Sequence, residues 1–419
     1  MIFSSLIKRL GLRRWGWLAL TALLASFLLG TPTLQAAQPQ LNLSPYPLSL
    51  SFFEQTWERY RDRFIQPDGR VIDWENADQR TTSEGQAYAM LQAVLIDDRD
   101  TFDRTLAWAE ENLARRDDSG VPTDHLWAWK WGPEGAPETA SRWGILDQNF
   151  ATDADIDAAT ALIMASRRWG QAGYLELAKS KLADIWDLST VEIQLPDSPY
   201  LSGRHLLPGP AAAFHPEPEV WYLNPSYVAP YAYRMFAQVD RRHSWQQLVS
   251  TGYVLLEQSS EIATPALPSD WVMLHAQQPH FRPLPPEMSI QSGYGFDAYR
   301  VWWRVSLDLA WFNSFQARRY LSDHLAPLVQ HWRQQERLPA RIGLSGEALV
   351  DYTATSQYAM IYPALRPFRP TLAEELRSQT LALASPQQFW DNDSAYYSQN
   401  MAWLGLFPPE WVPQGWLRP

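Results

Sequence analysis

Residues 151–169 read ATDADIDAATALIMASRRW, and this stretch decides how the rest of the chain is interpreted. Three aspartates, Asp153, Asp155 and Asp157, stand within five residues and lead into a small and apolar run without proline or glycine. A run with no wide polar face predicts a helix that is buried around most of its circumference. Thr152 or Asp153 can cap this helix, and the helix dipole favours acids in its first turn.

The spacing of the three aspartates places them on different faces of that helix. Asp153 and Asp157, four residues apart, share one face, whereas Asp155 points elsewhere. Capping and dipole compensation could account for all three acids. However, repulsion and desolvation make it costly to crowd ionised carboxylates onto a buried helix, so the cost indicates a further purpose.

The same stretch resembles the signature helix of glycoside hydrolase family 8. That signature runs Ala-Ser/Thr-Asp-Ala/Gly-Asp, continues as a small and aliphatic helix, and ends in Trp after a fixed gap. Here it reads ATDAD at residues 151–155 and ends at Trp169, with Ala158 standing where Ile or Met is usual. The resemblance implies an all-α fold, an (α/α)6 barrel of about twelve helices in a single domain. It also implies that Asp153 binds the sugar in the distorted subsite.

The composition indicates a globular protein with an unusual aromatic content. The chain has 419 residues, of which 46% are hydrophobic, and this is enough for one large domain or two ordinary ones. Tryptophan occurs 22 times. Most of these rings should pack in the core, and a minority could stack on flat pyranose rings.

Charge and side-chain chemistry exclude several classes of function. The net charge is −11 and no dense Lys/Arg stripe follows the first 15 residues, so we expect no nucleic-acid partner. There is no cysteine, and the eight histidines show no metal-binding spacing. We therefore expect neither a metal nor an organic cofactor.

The N-terminal residues are typical of an export signal. Basic residues at positions 8–14 precede an apolar stretch at 15–29, and small residues near Ala37 suit cleavage there. We predict a signal peptide at 1–37, a linker at 38–47 and a catalytic domain at 48–419. The imperfect cleavage site leaves retention as an anchor as the alternative. Export without cysteine favours a periplasmic or secreted bacterial protein.

The remaining chain predicts helix after helix, with no convincing alternating strand pattern. We predict twelve helices, near 48–64, 84–97, 100–115, 153–169, 172–186, 226–239, 242–258, 294–312, 316–335, 353–363, 370–383 and 394–407. An even count, with several helices apolar all round, suggests two concentric layers. Long connections at 117–150, 188–225 and 260–292 are uncommon in compact domains unless they build a site.

One motif places a carboxylate at the start of a helix near residue 84. The stretch TTSEGQAY at 81–88 contains a capping box, Ser83 with Gln86, that would start a helix at Glu84. Glu84 could be an ordinary first-turn acid, although the neighbouring Gly85 would let a substrate approach closely. The stretch is similar to the Ser-Glu-Gly-x-x-Tyr element of family 8, and the resemblance implies that Glu84 is the general acid.

A second motif, SGYGFDAYRVWWR at 292–304, places another carboxylate at a helix start. Arg300 and Arg304 follow Asp297 by three and seven residues, so all three lie on roughly the same face. A surface salt-bridge ladder is the simple interpretation. The stretch resembles the family's Tyr-Asp-Ala-x-Arg element, which implies that Asp297 is the catalytic base. Phe296 stands where tyrosine is common, so a hydroxyl near the attacking water would be missing.

Aromatic residues outside these motifs supply candidate sugar contacts. Residues 126–132, LWAWKWG, place tryptophans at alternate positions, which suits either a core strand or a sugar-stacking lip. We expect Trp129 to stack on substrate, together with Trp221. Residues 207–210 and 221–227 are similar to a stretch in the cellulose-synthesis branch of the family, and Tyr227 is carried over as a substrate contact.

The resemblance implies inverting hydrolysis by Glu84 and Asp297, with Arg300 near the substrate and helping to keep Asp297 ionised. Inversion needs the two carboxyl groups about 6.5–9.5 Å apart with a water between them. Burial or a neighbouring carboxylate, Asp153, should raise the pKa of Glu84. We expect a monomeric endo-β-1,4-glucanase that acts on β-1,4-glucan, with a cellulose synthase complex as a candidate partner. The alternatives are the same chemistry on xylan, mixed-linkage glucan or chitosan, and a non-catalytic subunit that guides a glucan chain.

Overall fold

The computed structural model describes residues 48–384 and 389–418. The predicted signal peptide at 1–37 and linker at 38–47 lie outside the described residues. Within the described ranges the chain forms fifteen α-helices and nine short β-strands. No helix in these ranges is both long enough and apolar enough to cross a membrane.

The helices are numbered in chain order. They are α1 Leu50–Phe64, α2 Ser83–Ile96, α3 Arg99–Asn112, α4 Thr152–Trp169, α5 Ala172–Ser189, α6 Ala211–Phe214, α7 Pro230–Val239, α8 Trp245–Ser260, α9 Tyr299–Phe312, α10 Phe315–His324, α11 Ala326–Gln335, α12 Thr355–Leu365, α13 Pro370–Ala382, α14 Tyr396–Leu406 and α15 Gln414–Leu417.

Twelve of these helices build two concentric layers. The inner helices contact one another in the order α2, α4, α7, α9, α12 and α14, and α14 closes the ring against α2. Each inner helix also packs against an outer one, in the same order α3, α5, α8, α10, α13 and α1. The predicted (α/α)6 barrel is confirmed.

Burial explains why the two layers have different sequences. All eleven residues of α12 are buried, whereas α10 buries only Ala317, Tyr320 and Leu321. An inner helix has neighbours on every side, so it needs apolar or paired residues all round, while an outer helix needs one apolar stripe. The long apolar run of α4 is therefore an inner helix, as its sequence predicts.

The connections differ at the two ends of the barrel. An inner helix reaches its outer partner through short links, at 97–98, 170–171, 240–244, 313–314 and 366–369. Return connections to the next inner helix are long, at 113–151, 190–229, 261–298 and 325–354, and the last of these contains α11. Because each inner–outer pair is antiparallel, all inner helices run the same way. Their N-termini therefore meet at the end that carries the long connections.

Nine strands accompany the helices in the described residues, although the sequence shows no convincing alternating strand pattern. The strands are β1 Thr81–Thr82, β2 Ala114–Arg116, β3 Pro122–Pro133, β4 Trp143–Phe150, β5 Thr190–Ile193, β6 Gly203–Leu206, β7 Val220–Leu223, β8 Val272–His275 and β9 Gln278–Arg282. They occupy the long connections and form small antiparallel sheets: β3 pairs with β1, β2 and β4, β5 with β6, and β8 with β7 and β9. Most are too short for an alternating pattern to stand out in the sequence.

The single helix predicted at 316–335 is two helices, α10 and α11, which meet at Leu325. Pro327 lies in the first turn of α11. Proline has no backbone N–H to continue the hydrogen bonding of α10, but it is well tolerated in the first turn of a new helix.

Candidate active site

The predicted catalytic carboxylates meet at the end of the barrel where the inner helices begin. Glu84 lies in the first turn of α2, Asp153 in the first turn of α4, and Asp297 in the turn that leads into α9. A cleft of about 490 Å³ opens there, and its walls include Glu84, Asp153, Trp129, Tyr227, Phe296 and Tyr397. The converging helix N-termini favour negative charge at this position.

The start of α2 differs from its prediction in two details. Thr82, not Ser83, caps the helix, and its hydroxyl accepts the Gly85 N–H at 3.2 Å. The side chain of Gln86 instead accepts from the Val71 N–H at 2.6 Å, so the predicted capping box is wrong. A Cβ on Gly85 would lie 2.5 Å from the Tyr396 hydroxyl. The glycine therefore admits a neighbouring tyrosine, which itself lines the cleft.

Neither of the predicted side-chain caps serves α4. Ala151 occupies the N-cap position, and no side chain caps it. Thr152 uses its hydroxyl and its backbone N–H to bind the carbonyls of Leu207 and Pro208, at 2.8 and 3.0 Å. The start of α4 is thus fixed by the long α5–α7 connection.

One buried arginine joins the three carboxylates. Arg300 Nη1 donates to Glu84 Oε2 at 2.9 Å and to Asp153 Oδ2 at 2.6 Å. Its Nη2 donates to Asp297 Oδ1 at 2.5 Å and to Ser226 Oγ at 3.1 Å. The side chain is 2% exposed, so it is not the surface ladder of the simple interpretation. A guanidinium with both ends bound holds carboxylates in place, and the direct contact between Arg300 and the sugar stays a prediction.

The three carboxylates differ in their access to the cleft. The side chains of Glu84 and Asp297 are 24% and 33% exposed, whereas that of Asp153 is 1% exposed. Glu84 therefore lines the cleft with part of its side chain exposed, and Asp153 lies in the cleft floor. Asp297 is partly exposed next to Phe296, which lines the same cleft. Glu84 Oε2 and Asp297 Oδ1 are hydrogen-bonded to the two terminal nitrogens of the same guanidinium. The distance between these two oxygens therefore cannot exceed the two hydrogen-bond lengths plus the distance between the two nitrogens.

Three carboxylates around one arginine leave an excess of negative charge. Burial raises the pKa of Glu84 to about 8, with the charges of Asp153 and Asp297 adding to the rise and Arg300 opposing it. Burial also raises the pKa of Asp297, again against Arg300. A glutamate that keeps its proton near neutral pH suits a general acid. Arg300 reduces the rise at Asp297 without reversing it.

Asp297 has further partners that the sequence analysis did not identify. The Trp271 Nε1–H donates to Asp297 Oδ2 at 3.0 Å, and Asp270 Oδ1 accepts the Ala298 N–H at 2.8 Å. Burial and the charge of Asp297 raise the pKa of Asp270 to about 8. Asp270 and Trp271 stand in the long α8–α9 connection, where no motif marks them.

The other two aspartates of α4 do not reach the cleft. Asp157 makes a bidentate pair with Arg304, at 2.8 and 2.7 Å, one helical turn deeper than Asp153 and Arg300. Asp155 faces away from both and accepts the Trp127 N–H of β3 at 3.2 Å. The predicted division of faces among the three acids is confirmed.

The predicted aromatic contacts separate into two groups. Trp129 and Tyr227 line the cleft. Trp221 is 5% exposed and stacks on His215 with ring centres 5.0 Å apart, so it is a packing residue away from the cleft. The sequence pattern could not distinguish the cleft-lining residues from Trp221, because it does not show which side chains are covered by other parts of the chain.

Tyrosines at the start of α14 were also missed. Tyr396 and Tyr397 both line the cleft, and the Tyr397 hydroxyl donates to the carbonyl of Phe296 at 2.5 Å. They could have been found from the barrel itself, because α14 is an inner helix and its N-terminus must lie at the same end as Glu84. No group of three or more His, Asp or Glu in residues 48–384 and 389–418 is arranged to hold a metal ion.

Comparison with known families identifies the barrel. The model of the glycosyl hydrolases family 8 matches residues 32–406. This chain belongs to family 8. It is therefore a glycoside hydrolase, and the inverting mechanism follows from its family.

Related family 8 proteins extend along most of the chain. An endoglucanase of Xanthomonas axonopodis pv. citri is 30% identical over 89% of this chain and 86% of its own length. The crystal structure of an endo-1,4-D-glucanase from Vibrio fischeri matches with a TM-score of 0.69 and 25% identity, over 84% of this chain and 93% of that one. An endo-β-1,4-glucanase from Acetobacter xylinum shares the fold with a TM-score of 0.64 and 22% identity, over 85% and 97% of the two chains.

Proposed function

We propose that this family 8 hydrolase is an exported endo-β-1,4-glucanase in which Glu84 is the general acid and Asp297 the general base. The main support for these two roles is the hydrogen bonding around Arg300. One buried guanidinium binds Glu84 and Asp297 through different nitrogens, and both carboxyl side chains stay partly exposed at the end of the barrel where the cleft opens. Pure binding of a glucan chain would not require this pair.

The two carboxyl groups divide the reaction between them. The Glu84 carboxyl, kept protonated by its raised pKa, gives its proton to the glycosidic oxygen as the C1–O bond breaks. Asp297 takes a proton from a water that attacks C1 from the opposite face, which inverts the anomeric centre. The water and the sugar ring would occupy the space between the two groups, on the cleft side of Arg300.

The floor and walls of the cleft supply substrate binding. Asp153 lies in the floor beside Glu84, where its charge would favour the positive charge that develops on the sugar. Trp129 is half-buried and Tyr227 lies close to Arg300, so each could present a ring face to a glucosyl unit. The Xanthomonas and Vibrio proteins named above support a β-1,4-glucan over other polymers.

The cellular setting is a finer part of the proposal. The export-like residues at 1–37 support a periplasmic or secreted enzyme. The likeness of residues 207–227 to the cellulose-synthesis branch of the family supports a role beside a cellulose synthase. We further propose that the enzyme acts as a monomer.

The test is to replace the two carboxyl groups separately by their amides. Glu84→Gln and Asp297→Asn should each lower kcat on a soluble cellulose derivative by about 10²–10⁴-fold, because proton transfer is lost while the shape is kept. The matched control is Glu75→Gln, which changes a carboxylate of the same cleft that is not bound to Arg300. Unchanged activity in either catalytic variant would contradict the assignment.

Product analysis tests the polymer and the stereochemistry. Proton NMR of the first products from cello-oligosaccharides should show the α-anomer. The same enzyme should release less product from xylan, mixed-linkage glucan and chitosan than from the cellulose derivative. Cellulose binding without any release of reducing ends would instead favour the non-catalytic guiding subunit.

A further inference from the structure

A cluster of charged side chains lies beneath the strand that carries Trp129. Asp155 and Lys181 are both 0% exposed, and Glu110, 33% exposed at its side chain, completes the cluster from α3. Lys181 Nζ lies 3.0 Å from Glu110 Oε1 and 4.0 Å from the centre of the Trp127 ring. None of these groups takes part in the proposed chemistry.

The polar contacts of this cluster are made to one short segment of β3. Asp155 Oδ1 accepts the Trp127 N–H at 3.2 Å, and Lys181 Nζ donates to the His125 carbonyl at 2.5 Å. Glu110 Oε1 accepts the Trp127 indole N–H at 2.8 Å. Three helices, α3, α4 and α5, therefore bind residues 125–127 from beneath.

The strand changes its pairing immediately after this anchored segment. Ala128 pairs with Phe150, but Lys130 pairs with Asp147, so the register with β4 shifts across Trp129. A bulge of this kind re-aims a side chain, and such bulges are common beside active sites. The wall position of Trp129 thus depends on the register of the residues before it. A slip of one residue would turn the ring to the other face of the strand.

The cluster is costly, which indicates that it is retained for a purpose. Asp155 Oδ2 has no hydrogen-bond partner although it is buried. A buried polar atom without a hydrogen-bond partner lowers the stability of the folded state. Burial also raises the pKa of Asp155 to about 7, in spite of the nearby Lys181.

We propose that Asp155 is a positioning residue, which fixes the register of β3 and so holds Trp129 in the cleft wall. The proposal rests on the proposed function of Trp129 as a glucosyl contact. Its signature is a loss of glucan affinity that occurs through Trp129. A purely structural aspartate would lower stability and leave affinity unchanged.

The experiment measures the Kd for cellohexaose by calorimetry in the Glu84→Gln background, so that hydrolysis does not interfere. Asp155→Ala should weaken binding about tenfold, and Trp129→Ala by at least as much. The double variant should be no weaker than Trp129→Ala alone, because the anchor acts through that ring. Asp155→Asn keeps an acceptor for the Trp127 N–H and should recover most of the affinity.

The matched control is Asp240→Ala at the opposite end of the barrel. Asp240 is buried like Asp155, and its side chain accepts the indole N–H of Trp245 at 2.9 Å and the backbone N–H of Arg242 at 3.0 Å. This variant should lose stability and keep its affinity for cellohexaose. Asp184, 24% exposed at its side chain, accepts the His125 N–H at 2.7 Å, so Asp184→Ala should weaken binding in the same direction even if Asp155→Ala does not fold.

Several results would overturn the proposal. One is an unchanged affinity of Asp155→Ala for cellohexaose, or of Asp184→Ala if Asp155→Ala does not fold. Another is that the losses of affinity from Asp155→Ala and Trp129→Ala add up in the double variant. A Trp129→Ala variant that binds normally would remove both the contact assigned to Trp129 and this inference. It would leave the assignments of Glu84 and Asp297 to their own activity test.

Discussion

Helices α4 and α9 are joined by two aspartate–arginine pairs, Asp153 with Arg300 and Asp157 with Arg304, one helical turn apart. The deeper pair is matched one to one and bidentate, and its side chains are at most 1% exposed. The pair at the cleft is shared, because Arg300 also binds Glu84 and Asp297. The same residue types at the same spacing therefore give a closed structural link in one place and an unbalanced, reactive centre in the other.

The two sites share their burial and differ in their charge balance. Both arginines are buried and both aspartates are buried. Only the upper arginine faces more carboxylates than it can neutralise, and only there is the pKa of a cleft-facing carboxyl raised to about 8.

The largest expected difference between the two aspartate–arginine pairs is in the free energy of unfolding. Asp157→Asn leaves Arg304 without its only ion-pair partner among the described residues, and breaking a buried pair in this way should cost about 3–5 kcal/mol of unfolding free energy. Asp153→Asn should cost less, because Arg300 keeps Glu84 and Asp297. Denaturant unfolding of both variants is the measurement. Equal losses would contradict the distinction.

Substitution of Arg300 should reduce catalysis more than substitution of Arg304. Arg300→Lys keeps the charge but loses the planar fork that binds carboxylates on two nitrogens, so kcat/KM should fall by roughly 10²-fold through misplacement of the reacting groups. Arg304→Lys should mainly lower stability. Kinetics on the soluble cellulose derivative provide the measurement, and a smaller fall in Arg300→Lys than in Arg304→Lys would reverse the interpretation.

The burial of carboxyl groups should also appear in the pH dependence of the free energy of unfolding. The pKa of Glu84 is raised to about 8 and that of Asp155 to about 7, so the folded chain holds protons that the unfolded chain has released. Stability should therefore be greatest near pH 5 and fall towards pH 8, by on the order of 2 kcal/mol. Unfolding at the two pH values measures this, and a rise towards pH 8 would contradict it.

The smallest effect concerns the alkaline limb of the pH–activity profile. The charge of Asp153 raises the pKa of Glu84, so Asp153→Asn should move the alkaline limb of the kcat/KM profile to lower pH. Asp157→Asn should move it less, since Asp157 is the smallest of the charges acting on Glu84. The two pH profiles, measured side by side, decide the point.

The sequence was sufficient for the parts of the molecule that are governed by helical periodicity. The apolar run after Asp157 predicts an inner helix, and the spacing of Asp153 and Asp157 predicts their shared face. Glu84 and Asp297 could be placed only by their resemblance to family motifs, since a first-turn acid is common in any helix. Their meeting on Arg300 at one end of the barrel follows from the shared direction of the inner helices.

The sequence was not sufficient where partners come from distant connections. Trp271 binds Asp297 from a loop without a motif, and Trp221 could not be recognised as a packing residue without His215 in view. Arg300 illustrates the same limit. Its spacing from Asp297 predicted one contact, whereas its pairing with Glu84 and Asp153 depends on three helices that only the barrel brings together.

The unequal connections of the barrel determine where this protein can change. Turns of only two residues at 97–98, 170–171 and 313–314 leave no slack, so an insertion there would push paired helices apart. The connection at 113–151 is not part of either helical layer. Replacing it with the same connection from a relative could change the cleft wall that faces the glucan and leave the N-termini of the six inner helices in place. Such a replacement would have to keep the backbone and indole groups that bind Glu110, Asp155 and Lys181. Polymer preference would then depend on the connection and on these three helix residues together.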